Sequence, residues 1–163
     1  MNTSLLQCVI DCDPEMKKHL SGVYAADELP HIIWKPSNGF IANTDPIYSR
    51  GQHLIAFYFN ENGVMECFDS YGNSPEQFSP YFQHIMGNYS RIKVNKKRPQ
   101  SNATIGCGQY CLFYLMCRTR GYSMRQIVDF FNPDFHLNDQ SLESKKKIPS
   151  ILIVNAGNLF EHQ

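Results

Sequence analysis

The sequence predicts an α+β fold, a β-sheet packed with helices around one core. Three observations carry this. HLIAFYF (53–59) and VMECFD (64–69) are short runs of branched and aromatic residues separated by Glu61-Asn62-Gly63, the pattern of two buried strands joined by a tight turn. CGQYCLFYLMCRTRG (107–121) is too densely apolar for a surface helix and ends on glycine, which reads as a buried helix over about 107–120. A chain of 163 residues with 42% apolar content can bury one core and rarely two, so a single domain, 1–163, is expected.

The elements follow in order. Asp13-Pro14 reads as an N-cap followed by proline at the first helical position, so a short helix over about 14–20 is expected, stopping near Gly22. Residues 30–43 read as extended or irregular, with strand-like IIW and GFIA pieces. In the hairpin, a three-residue loop with Gly63 in the left-handed region pairs Asn60 with Val64. That register sets His53 opposite Tyr71 and Asp69 opposite Ile55, so His53 and Asp69 share a face, one diagonal apart. A slip of one residue would put them on opposite faces. Ser74-Pro75-Glu76-Gln77 looks like a capping box and predicts a helix over about 75–86. A strand is expected at 91–94. Ser123-Met124-Arg125-Gln126 is a second capping box, with a helix to about 131 stopped by Asn132-Pro133. The tail IPSILIV (148–154) fits strand or helix equally.

Composition narrows the function. Only 18% of residues are charged and the formal net charge is zero, which argues against a protein whose main task is coating nucleic acid, since that binding rests on neutralising phosphates. Two short basic runs, Lys96-Lys97-Arg98 and Lys145-Lys146-Lys147, read first as solvated loop charge and otherwise as an auxiliary DNA contact. The start, MNTSLLQCVIDCDPE, has no basic opening and no long apolar run, so no signal peptide and no membrane span are expected. The expected location is inside a cell. Six cysteines (8, 12, 67, 107, 111, 117) are then expected as free thiols.

The chemistry gathers around IGCGQYC (105–111). Cys107 falls at the first turn of the buried helix, where orphan backbone N–H groups and the helix dipole favour a thiolate. Gly108 offers space beside the sulfur for a substrate backbone. A thiolate nucleophile needs an acid/base partner to protonate a leaving amine, and His53 is placed for it. Asp69 is delivered by the hairpin register to orient the imidazole. Gln100 offers a side-chain amide, and Cys107 its backbone N–H, to a developing oxyanion. Taken singly, a strand histidine, a turn aspartate and a buried cysteine are ordinary structural residues; their joint order is the signal.

GQHLIAFYF, ECFDSYG and RPQSNATIGCGQYC resemble the adenovirus maturation proteinase family, adenain and its relatives in Maverick/Polinton elements and adintoviruses, within the clan of ubiquitin-like-protein proteases. The likeness covers about residues 22–131. It implies a central mixed β-sheet packed with helices, with the nucleophile cysteine at the N-terminus of a buried helix. Carried over by motif, the catalytic residues are His53, Asp69, Gln100 and Cys107. The implied activity is a cysteine endopeptidase that cleaves viral capsid and core precursor proteins during virion maturation. The implied chain is a monomer in the host nucleus or cytoplasm, also packaged in the particle. Family members are activated by a viral peptide and by DNA; the sequence itself requires no cofactor and no metal. Two departures stand out. Leu54 replaces the family's tryptophan, and Tyr89 stands where the family cysteine forms a disulfide with the activating peptide.

Three other readings stay open. One is a protease specific for SUMO or another ubiquitin-like protein, although Gly106 precedes the cysteine where those enzymes carry aspartate. The C-x₃-C spacings of Cys8/Cys12 and Cys107/Cys111 allow a zinc-binding module. A binding protein without catalysis on the same fold is the third.

Overall fold

A computed structural model describes residues 3–31, 35–49, 53–74, 77 and 79–143. The chain folds as α1 (Thr3–Cys12), α2 (Pro14–His19), β1 (Leu20–Tyr24), a 3-10 turn (Ala26–His31), β2 (Asn38–Asn43), β3 (Leu54–Phe59), β4 (Met65–Phe68), α3 (Pro80–Met86), β5 (Ile92–Val94), α4 (Cys107–Thr119), α5 (Met124–Asp129) and α6 (Phe135–Glu143). The fold is α+β. Its five strands form one sheet in the order β1-β2-β3-β4-β5. The outer pairs β1/β2 and β4/β5 run parallel and the inner pairs antiparallel, so the sheet is mixed.

β3 lies in the middle of the sheet and every one of its residues is buried, which is why its sequence is an unbroken apolar run. Its side chains alternate between two cores. Leu54, Ala56 and Tyr58 pack with α1, α2, α4 and α5; Ile55, Phe57 and Phe59 pack with α3 and Leu29.

The β3–β4 register pairs Ala56 with Phe68 and Phe59 with Met65. The turn closes through Asn60 N donating to Val64 O (3.1 Å), with Gly63 at φ 71°. This is the expected three-residue loop. Continued outward, the register sets Ile55 against Asp69 and His53 against Tyr71.

The helix capped by Asp13, whose side chain accepts from Met16 N, spans Pro14–His19, in line with the expected 14–20. The chain then forms β1, which runs through Gly22. Of the helix expected over 75–86, Pro80–Met86 forms α3, capped by Ser79; residues 75, 76 and 78 lie outside the described residues. Proline rejects a helical residue before it and has no N–H to give, so Ser79-Pro80 starts a helix and cannot sit inside one. α5 ends at Asp129, two residues short of the expected 131. α1 and α6 are elements the sequence reading did not mark. The IIW piece and the tail run 148–154 lie outside the described residues.

α4 bears on the sheet through a buried charge cluster. Arg118 Nε is 2.7 Å from Glu66 Oε2, and the Tyr114 hydroxyl donates to the same oxygen at 2.7 Å. The Arg118 guanidinium also lies 4.5 Å from the Tyr58 ring centre. Phe68 stacks on Tyr114 with ring centres 4.5 Å apart. The helix is closed just past its end by Gly121, φ 91°, with Tyr122 N donating to Cys117 O. No described helix is long and apolar enough to cross a membrane.

Candidate active site

Three segments converge at one end of the sheet. His53 precedes β3, Asp69 follows β4, and Cys107 is the first residue of α4, after Gly106 as N-cap. His53 Nε2 stands 2.5 Å from Asp69 Oδ1. The thiol of Cys107 engages the same imidazole.

Asp69 is fully buried. Its Oδ1 also accepts from Tyr71 N (3.1 Å) and its Oδ2 from Asn73 N (2.8 Å). A buried carboxylate needs such donors to remain charged. Asp69 therefore acts as both the turn former of FDSYG and the partner of His53.

Electrostatics favour a charged pair. Burial works against a protonated imidazole, but the hydrogen bond and charge of Asp69, with Cys107 beside it, outweigh burial and raise His53 from 6.5 to about 9. Burial also resists a thiolate. Against it act the His53 hydrogen bond and charge and the backbone N–H groups of Leu54 and Gly108, which hold Cys107 below its ordinary 9.0. The other helix thiols behave oppositely. Burial pushes Cys111 well above the ordinary range and Cys117 up to about 12. Cys111 donates to Leu54 O at 3.3 Å and sits in the core. Both members of the Cys8/Cys12 pair are exposed on α1. Among the described residues, no group of three or more His, Cys, Asp or Glu is placed to hold a metal ion.

Gln100 is fully buried beside the start of α4. Its Oε1 accepts from Ser70 Oγ at 2.6 Å. Its Nε2 donates to Thr104 O (2.9 Å) and Thr104 Oγ1 (3.1 Å), so an oxyanion here would compete with the Thr104 hydroxyl for one amide proton.

Gly108 does not provide room for a substrate. A Cβ there would lie 3.2 Å from Leu6 and 3.3 Å from Leu54. Its small size serves the close packing of α4 against α1 and β3, and the expected open space beside the sulfur is replaced by core.

Three residues around the site were not singled out from sequence. Asn95 bonds the Asp69 backbone through both ends of its amide. Tyr71 lays its ring on His53, ring centres 4.9 Å apart, and donates its hydroxyl to Thr104 O at 3.1 Å. Asp139 on α6 accepts from the Tyr110 hydroxyl (2.7 Å) and from Ser101 N (3.3 Å), which anchors the strand of chain carrying Gln100. Only the Tyr71–His53 contact was implied locally, by the hairpin register.

No protein-family model and no curated protein sequence matches the chain. Among solved structures, one that is similar is the central domain of the uncharacterized Lpg1148 protein from Legionella pneumophila, with a TM-score of 0.40 and 14% identity over 85% of this chain and 84% of that one.

Proposed function

We propose that the chain is a cysteine endopeptidase, with Cys107 as nucleophile, His53 as acid and base, and Asp69 holding the imidazole. The reading rests on one observation: a single imidazole is bonded at 2.5 Å to a buried carboxylate and engages a thiol held below its ordinary pKa. The Cys107 thiolate adds to the scissile carbonyl carbon. The oxyanion meets the Cys107 backbone N–H and the Gln100 amide. Imidazolium gives its proton to the leaving amine as the C–N bond breaks, leaving a thioester. Water then attacks the thioester, His53 takes its proton, and the acid product leaves as the thiolate returns. Asp69 steadies the cation throughout.

The resemblance of GQHLIAFYF, FDSYG and the Gln100–Cys111 segment to adenain-type proteinases extends this to the substrate. We assign it viral capsid and core precursors, cleaved during virion maturation. The test begins with iodoacetamide at pH 6 and mass spectrometry, on the native chain and on His53→Ala. Selective labelling of Cys107 over exposed Cys8 and Cys12, slowed in the variant, is the expected result. Equal, slow labelling of all three removes the catalytic assignment. Cleavage of ubiquitin-like precursors in preference to capsid precursors would move the substrate to the other branch of the clan.

A further inference from the structure

Tyr71 touches both halves of the site. Its ring lies on the His53 imidazole, 4.9 Å between centres and tilted by 31°. Its hydroxyl donates to Thr104 O at 3.1 Å, and that same carbonyl accepts from Gln100 Nε2 at 2.9 Å. A carbonyl oxygen has two lone pairs, and here one goes to each donor. The Arg98 guanidinium lies 5.3 Å from the Tyr71 ring centre and donates from Nε to Gln100 O at 2.7 Å, so it joins Tyr71 to the backbone of Gln100 as well.

We propose that Tyr71 is a positioning residue that fixes the oxyanion donor of Gln100 relative to the His53–Cys107 pair, acting through the shared carbonyl of Thr104. The inference rests on the endopeptidase reading and deepens it. The ring maintains the imidazole face. The hydroxyl anchors residue 104 and so sets where the Gln100 amide points. Without the hydroxyl, Thr104 O keeps only the Gln100 bond, and the 101–106 loop loses a tie to the hairpin.

The two roles separate with two reagents. Iodoacetamide reads the thiolate and its imidazolium and needs no oxyanion donor. 4-Nitrophenyl acetate reads the donor as well: the Cys107 thiolate attacks the ester carbonyl, 4-nitrophenolate leaves with the bonding electrons, and water later releases acetate from the thioester. Tyr71→Phe is expected to slow Cys107-dependent acylation by about tenfold, the scale of one hydrogen bond. It should slow alkylation of Cys107 by less than about twofold, because the ring remains. Tyr71→Ala should slow both. If the hydroxyl acts through Gln100, the effect of Tyr71→Phe on acylation should vanish in a Gln100→Ala background, as coupled positions require.

Three results overturn the proposal: acylation by Tyr71→Phe at the native rate, the same slowing with and without Gln100, or alkylation falling as far as acylation. A native chain whose acylation matches Cys107→Ala sinks the endopeptidase reading itself, and this inference with it.

Discussion

Asn95 grips the backbone of Asp69 from both sides. Its Oδ1 accepts from Asp69 N at 2.8 Å, and its Nδ2 donates to Asp69 O at 2.7 Å and to Lys97 O at 3.0 Å. Both residues are buried, so these bonds have no water to replace them. Asn95→Ala is expected to destabilise the chain by about 2–4 kcal/mol, since stranded buried groups cost about 1–3 kcal/mol each. Urea unfolding monitored by fluorescence measures it. A loss below about 0.5 kcal/mol would mean that water reaches Asp69.

Asp69→Asn keeps the shape of the site and removes its charge. The amide keeps one oxygen, so its NH2 faces either Tyr71 N or Asn73 N, each of which now meets an oxygen. His53 should then titrate lower and Cys107 higher. Alkylation of Cys107 at pH 6 is expected to fall by about tenfold or more, the equivalent of one pKa unit. Pseudo-first-order labelling rates decide it, and an unchanged rate would leave Asp69 with a turn-forming role alone.

The pH profile follows from the directions of the two shifts. Amide cleavage needs thiolate and imidazolium together. The thiolate forms below the ordinary thiol value of 9.0 and the imidazolium persists to about 9. Cleavage should rise through the depressed thiol titration and fall as pH passes about 9. Alkylation needs only the thiolate, so it should rise on the acid side and not fall on the alkaline side. Both limbs belong to the coupled pair. An alkaline fall in alkylation as well would indicate unfolding rather than loss of the proton donor.

Gly108→Val places a branched side chain where one carbon already comes within 3.2 Å of Leu6 and 3.3 Å of Leu54. Overpacking of this kind costs about 1–3 kcal/mol. Leu6→Ala alone is destabilising through the cavity it leaves. In combination the two should cost less than their sum, which a double-mutant cycle in urea would reveal. Strict additivity would place the relaxation elsewhere than α1.

Arg118→Met strands Glu66, which is 2% exposed and also receives Tyr114. Breaking one side of a buried pair costs about 3–5 kcal/mol, whereas an apolar replacement of both sides is nearly neutral. Glu66→Met added to Arg118→Met should therefore recover stability. Thermal unfolding of the two variants tests this, and a double variant no more stable than Arg118→Met would contradict it.

The hairpin was legible because its information is local. Glu61-Asn62-Gly63 determines the loop, and the loop determines which faces His53 and Asp69 share. The capping signals of Asp13 and Ser123 were local too. Ser74-Pro75 and Ser79-Pro80 give the same signal five residues apart, and α3 takes its cap from the second; the proline at 80 decides where that helix begins. α1 carried a readable stripe, Leu6 and Ile10 one turn apart and both buried, but its ten residues make a short pattern. β1 contains Gly22 and pairs in parallel with β2, a long-range choice that leaves no local mark. Asn95 and Asp139 act through side-chain bonds to backbone 26 and 38 residues away, and no spacing rule foretells those. Gly108 was misassigned because sequence shows that a side chain is missing without showing what fills the space.

The hairpin also orders events in time. His53 and Asp69 lie 16 residues apart, just beyond the ends of adjoining strands, so a short loop closure suffices to bring them together. Cys107 arrives only after the chain has passed through α3 and β5 and α4 has docked, a longer closure with a larger entropic cost. An isolated two-stranded hairpin is marginal in water, so the histidine–carboxylate pair becomes durable only as β2 and β5 flank it. The thiol would thus be the last of the three to acquire its character, and in a refolding chain the onset of fast Cys107 alkylation becomes a clock for the completion of the fold.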